Sequence, residues 1–230
     1  MPENYAITGI STPASSSLRS GWIIERAREL GFAMCGVVRA AKFPELARNE
    51  EWLARGFAGD MKYLGDTRRA DPQQAMPGVR SVIVCALTYN TKYPRTAQAW
   101  ADSGDAERQS QEPRGWISRY AWGDDYHQVL RAKLESLLES VHLHNPEPFE
   151  ARIYTDTGPI NERVLAKRAG LGWLGKNTLL LNERLGSFFF LGTILTTLDL
   201  EPPPGPHNFR HPTDAAVAAS VSMHVRPQRW

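Results

Sequence analysis

The sequence predicts an α/β fold, a single mixed-sheet domain with flanking helices. Two observations carry this. Short apolar runs rich in β-branched residues alternate along the chain with stretches whose apolar positions recur at helical spacing. A length of 230 residues with 42% hydrophobic content also suffices for one substantial core.

Taken in order, residues 1–17 are rich in Ser, Thr and Pro without a period and read as a mobile N-terminal arm. The domain is expected over residues 18–200. Leu18, Trp22, Ile23, Ala27 and Leu30 mark a first helix stopped by Gly31. Phe32 to Val38 reads as a buried strand, Phe43 to Arg55 as a helix, and Ser81 to Leu87 as a central strand. Residues 90–115 are polar and long for a plain connection, so a lid or rim is expected there. Asp124 to Leu143 is the longest predicted helix, with Asp124 as its N-cap. Phe149 to Tyr154 is a strand, Ile160 to Ala169 a helix closed by Gly170, and Ser187 to Thr197 a strongly apolar strand.

Bulk charge says little about partners, since 27 Lys and Arg face 25 Asp and Glu for a net +2. The two cysteines, Cys35 and Cys85, sit among apolar neighbours and read as core thiols of a reducing compartment. No apolar run is long enough to span a bilayer, and no basic start precedes an apolar stretch. A cytoplasmic protein without a membrane partner is expected.

Residues suited to chemistry concentrate between Tyr154 and Gly192. Asp156 follows a strand and precedes a Gly-Pro turn. A carboxyl there can point into a cleft with its pKa raised, as a general acid requires, or it can cap the next helix. Gly170, Gly172 and Gly175 surround Trp173 and lead to Lys176 and Asn177. Such a loop lets backbone approach a large ligand while Lys and Asn supply donors. The spacing matches neither a Walker loop nor a dinucleotide fingerprint. Trp116 to His127 packs four aromatic residues with charged tips, suited to a flat, amide-fringed ligand. His127 is open between a surface histidine and a metal ligand, and Arg68 and Arg69 between a solvated loop and a site.

Together these segments resemble the epoxyqueuosine reductase family, from about Leu18 to Leu200. The strongest part is DTGPINERVLAKRAGLGWLGKNTLLLNERLGSFFFLG, supported in order by GDMKYL, RRADPQQAMPGVRSVIVCALTYN and ISRYAWGDDYHQVL. The resemblance implies a cobalamin-binding module of the architecture shared with reductive dehalogenases. It further implies base-off cobalamin, two [4Fe–4S] clusters feeding it electrons, and removal of the epoxide oxygen of epoxyqueuosine in a tRNA anticodon loop. Asp156 matches the family's acidic proton donor. Arg69, Tyr120, Trp173, Lys176, Asn177 and Ser187 match positions expected to line the corrin pocket. No metal ligand is assigned to the protein's own side chains, the electron donor is open, and a monomer is expected. Two other readings stand beside this one: a non-catalytic cobalamin- or tRNA-binding fragment, and a flavin-binding reductase of related architecture.

The family pattern continues with C-x2-C-x2-C-x3-C-P, which ligates clusters through thiolates, yet no cysteine follows Cys85. Residues 201–230 form an irregular tail after Pro202 to Pro204. With suitable synonymous codons, DNA encoding Asp214 to Trp230 yields CGRCRECLDACPTAAL in a shifted frame. A frameshift between about Leu200 and His207 is therefore expected, leaving the chain without its cluster ligands and without an evident route for electrons.

Overall fold

A computed structural model describes residues 16–94, 115, 117–145 and 147–203. The expected arm up to residue 15, most of the expected lid and the tail from residue 204 lie outside the described residues. The helices are α1 (Ser16–Glu29), α2 (Pro44–Ala54), α3 (Pro72–Ala75), α4 (Tyr126–His144) and α5 (Glu162–Arg168). The strands are β1 (Met34–Arg39), β2 (Ser81–Thr88), β3 (Ala151–Tyr154), β4 (Trp173–Leu174), β5 (Leu180–Leu181) and β6 (Phe189–Thr196).

Four strands form one sheet in the order β1-β2-β6-β3, while β4 and β5 form a separate small hairpin. The α/β class stands, but the sheet is not mixed: each of its three pairings is antiparallel. The reason lies in the connections. Antiparallel neighbours need no helical crossover, and here the helices cover the faces of the sheet without imposing parallel order.

Side-chain alternation along the strands builds two cores. Val82, Val84 and Ala86 of β2, with Val38 and Leu195, face a cluster completed by Met76, Leu165 and Leu171. Ile83 and Cys85, with Val37 and Ile194, face the opposite cluster with Ile23 and Ala27 of α1 and Leu130, Leu134 and Leu137 of α4. β2 is thus buried on both faces, which explains why SVIVCAL reads as a continuous apolar run. Two glycines let the layers close. A Cβ at Gly36 would stand 2.3 Å from the Ala169 carbonyl oxygen, and one at Gly192 would stand 2.7 Å from Leu134. Cys35 and Cys85 face each other across β1 and β2 as free thiols, their sulfurs 3.6 Å apart.

Helix ends follow local chemistry. Asp125, not Asp124, caps α4, its side chain accepting from the His127 amide. The helix after the Gly-Pro turn starts at Glu162, because Asn161 supplies the cap by accepting from the Val164 amide. Asp156 is therefore not a helix cap. At the other end of the chain, Ser81 both donates to the Leu200 carbonyl and accepts the Leu200 amide, and the Ser20 hydroxyl donates to the Glu201 carbonyl. No helix among the described residues is long and apolar enough to cross a membrane.

One ion-pair cluster fixes α2 against α5. The Glu45 carboxylate accepts from Lys167 at 2.8 Å and Arg168 at 2.7 Å. Burial pushes its pKa up, but hydrogen bonds from Arg168 and Lys167 outweigh this and hold it at about 2 against an ordinary 4.5. A depressed carboxylate stabilises the fold above pH 4.5, and that contribution disappears as pH falls towards 2. Glu45→Gln is expected to lower unfolding stability at pH 7 by about 1 kcal/mol, since the pair is partly solvated. Urea titrations should show the variant and the parent converging near pH 2.

Candidate functional site

The site lies at the end of the sheet where β2 finishes, β6 begins and β3 hands over to the Asp156 turn. The register brings these together: Thr88 pairs with Phe189, and Tyr154 with Thr193. Two cavities open there. One, of about 680 Å³, is bounded by Tyr63, Arg68 and Arg69 on one side and by residues 156–163 on the other. The second, of about 440 Å³, has an aromatic wall of Tyr89, Tyr120, Tyr126 and Phe188 to Phe190, with Ser187 beside them. Asp156, Glu162 and Arg163 line both.

Asp156 stands at this junction in a left-handed backbone conformation, φ 58°. Aspartate tolerates this region better than most residues. Its amide donates to Glu162 Oε1 at 3.0 Å, and its Oδ2 accepts from the Tyr126 hydroxyl at 2.9 Å. His127 Nε2 lies 3.7 Å from the same oxygen, while His127 Nδ1 is 2.8 Å from Asp125. The Asp156 side chain is 65% exposed. Burial, chiefly, and the charge of Asp156 push the Glu162 carboxyl up to about 7, against the pull of the Asp156 amide, Arg69 and Arg163. Burial also raises Tyr126 above the ordinary phenol range, followed by its hydrogen bond to Asp156 and the charges of Asp156 and Glu162.

The turn has its own supports. Arg69 Nη1 donates to the Gly158 carbonyl at 3.3 Å, and its guanidinium lies 5.7 Å from the centre of the Tyr63 ring. Gly158 has no room for a side chain, because a Cβ would sit 2.6 Å from Tyr154. The Tyr126 ring stacks on Phe190, centroids 4.0 Å apart and 3° from parallel. That contact ties the hydroxyl holding Asp156 to the aromatic wall.

Of the residues expected around the ligand, Asp156, Arg69, Tyr120 and Ser187 line a cavity. Trp173 is buried at 9% exposure in the β4–β5 hairpin and lines neither. Lys176 and Asn177 are exposed on that hairpin's turn and line neither cavity, though Leu179 and Leu180 next to them do. Arg68 pairs with Asp66 at the rim of the larger cavity. His127 belongs with Asp125 and Asp156, and among the described residues no group of His, Cys, Asp or Glu could hold a metal ion. Glu162, Arg163 and the wall at Phe188 to Phe190 escape a reading of the residues alone, while Tyr126 falls within the aromatic segment Trp116 to His127. The run of three phenylalanines shows a strand, but nothing in it says that the wall faces a ligand.

Fold and site together define an α/β module that presents two acidic residues, Asp156 and Glu162, beside an aromatic wall where two cavities adjoin. Residues 69–157 match the family model described as "Epoxyqueuosine reductase QueG, DUF1730". The epoxyqueuosine reductase of Gloeobacter violaceus is 45% identical over 191 residues, which are 82% of this chain and 54% of that protein. That of Pseudomonas aeruginosa is 36% identical over 175 residues, 75% of this chain and 46% of that protein. The structure of epoxyqueuosine reductase from Streptococcus thermophilus superposes with a TM-score of 0.62 at 28% identity, covering 79% of this chain and 46% of the other. A crystal structure of epoxyqueuosine reductase with an epoxyqueuosine-modified tRNA-Tyr stem loop gives 0.63 at 27% identity, with the same coverage. The chain belongs to the epoxyqueuosine reductase family as a partial member, spanning about half the length of the curated relatives it matches.

The Tyr126–Asp156 contact makes a direct prediction. Asp156→Asn removes the carboxylate charge that favours the neutral phenol, so Tyr126 should ionise at lower pH in the variant than in the parent. Ultraviolet difference titration reads this, with Tyr126→Phe identifying the transition, and an unchanged titration would argue against the contact.

Proposed function

We propose that this chain is the cobalamin-binding, substrate-facing module of an epoxyqueuosine reductase, acting on epoxyqueuosine in tRNA. The single observation that carries the reading is Asp156: a carboxylate on a left-handed turn, held by Tyr126, where two cavities meet. Supporting it are the family membership and the relative crystallised with an epoxyqueuosine-modified stem loop.

The residues present fit a large, flat, amide-fringed ligand. The smaller cavity offers ring faces at Tyr89 and Phe188 to Phe190, with hydroxyls from Tyr120 and Ser187. The larger adds the donors Arg69, Asn161 and Arg163. Lys176 and Asn177 would contribute from the hairpin turn at the edge. Cobalamin held there, in the base-off form the family resemblance implies, would supply the electron chemistry. Iron–sulfur clusters do not fit this chain: its two cysteines lie in the core strands β1 and β2, facing each other.

The protein's own contribution is positional. Reductive opening of an epoxide leaves negative charge on the departing oxygen, and a carboxylic acid placed beside it can neutralise that charge as it develops. Asp156 is the group placed to donate that proton. Tyr126 and the Glu162 contact to its amide fix its direction, and the aromatic wall provides the surface against which a planar ligand packs.

The test is a titration of the 230-residue chain with cob(II)alamin, followed by absorbance and EPR. Stoichiometric base-off binding is expected, and Ser187→Trp should weaken it at least about tenfold by filling the cavity. Asp156→Asn should leave binding within about threefold yet, with a chemical reductant and an epoxyqueuosine-bearing stem loop, slow turnover about 10²- to 10⁴-fold. A folded chain that binds no corrinoid would overturn the cofactor assignment.

A further inference from the structure

Asp156 is exposed and sits on a turn, so its direction depends on the Tyr126 hydroxyl that meets its carboxylate as well as on what grips its backbone. Glu162 is in that position. It occupies the first turn of α5, six residues after Asp156, and its Oε1 accepts the Asp156 amide at 3.0 Å. Arg69 grips the other side of the same turn at the Gly158 carbonyl. The turn thus has two anchors, one on the amide of its acidic residue and one two residues on.

We propose that Glu162 is the positioning residue of Asp156, holding its backbone in the left-handed conformation and so fixing where the Asp156 carboxylate stands between the two cavities. The proposal deepens the reading of Asp156 as proton donor and rests on it. Glu162 makes this contact from the wall it shares with Asp156 and Arg163, beside substrate space rather than in the core. Loss of the contact frees the Asp156 peptide to leave a left-handed conformation, so the carboxylate would be held by Tyr126 alone.

The environment makes the grip responsive to pH. Glu162 is faced by the carboxylate of Asp156 from the turn, by Arg69 from the segment before α3, by Tyr126 from α4 and by Arg163 from α5 itself. His127 and Asp125 stand beyond Asp156. Burial and the neighbouring Asp156 charge keep the proton on Glu162 up to about 7. Below that pH a neutral acid holds the Asp156 amide. Above it an ionised carboxylate accepts the same bond more strongly, while repelling the Asp156 carboxylate.

The experiment follows the Asp156 amide by ¹H–¹⁵N NMR in the 230-residue chain between pH 5 and 9, with hydrogen exchange measured at pH 6. In the parent the amide signal should shift in one step centred near 7. In Glu162→Gln, which keeps an acceptor and loses the charge, that step should vanish while exchange stays within about threefold of the parent. In Glu162→Ala, exchange at Asp156 should speed up at least about tenfold, with the α5 amides unchanged as the sign that the fold is intact. An Asp156 amide that ignores pH, or whose step survives in Glu162→Gln, overturns the proposal. If Glu162→Ala unfolds α5, the glutamine variant alone decides. The measurement needs neither cobalamin nor tRNA, so its failure speaks to Glu162 only, and failed corrinoid binding in a chain that passes it speaks to the cofactor reading only.

Discussion

The antiparallel pairing of β2 with β6, buried on both faces, is the constraint on which the rest of the structure depends. Eight residues of each strand pair in register, and successive side chains feed opposite clusters. A slip by one residue would exchange the two faces, sending Ile83 and Cys85 towards α5 and Val82 and Val84 towards α4. The pairing also decides where chemistry can occur. It brings Tyr89 and Phe188 to Phe190 to one end of the sheet, beside the end of β3 and the turn that carries Asp156.

Around that end the structure divides the work between rigid and permissive parts. The aromatic wall is anchored in β6, and Tyr126 is anchored in the long helix α4, whose inner face is Leu130, Leu134 and Leu137. Asp156 itself lies on a short turn with a strained backbone, gripped by Arg69 and Glu162. A rigid scaffold thus carries an acidic side chain whose direction depends on a few hydrogen bonds.

Much of this was legible in the sequence, for physical reasons. Helical recurrence located α1 and α4, and β-branched runs located β2 and β6, because burial imposes those periods. The resemblance then singled out Asp156, which residue chemistry alone left between acid and cap. The β4–β5 hairpin was not legible: two-residue strands are shorter than any period, and Trp173 within it reads as a ligand contact until its burial is seen. Antiparallel order escaped for a related reason, since strand and helix alternation is compatible with either direction. Glu162 escaped because an acidic residue in the first turn of a helix is ordinary. Its role shows only when the turn folds the Asp156 amide back onto its carboxyl, and the spacing of six residues across a Gly-Pro turn was the one available signal.

The lock between Ser81 and Leu200 carries a consequence of scale. Ser81 opens β2 at the end of the sheet away from the aromatic wall, and Leu200, bonded to it there, leads into residues 201–203. The eight residues of β2 at about 3.3 Å each put roughly 25 Å between this lock and Thr88, which pairs with Phe189 at the aromatic wall. The lock and the aromatic wall thus stand a full strand apart, at opposite ends of β2.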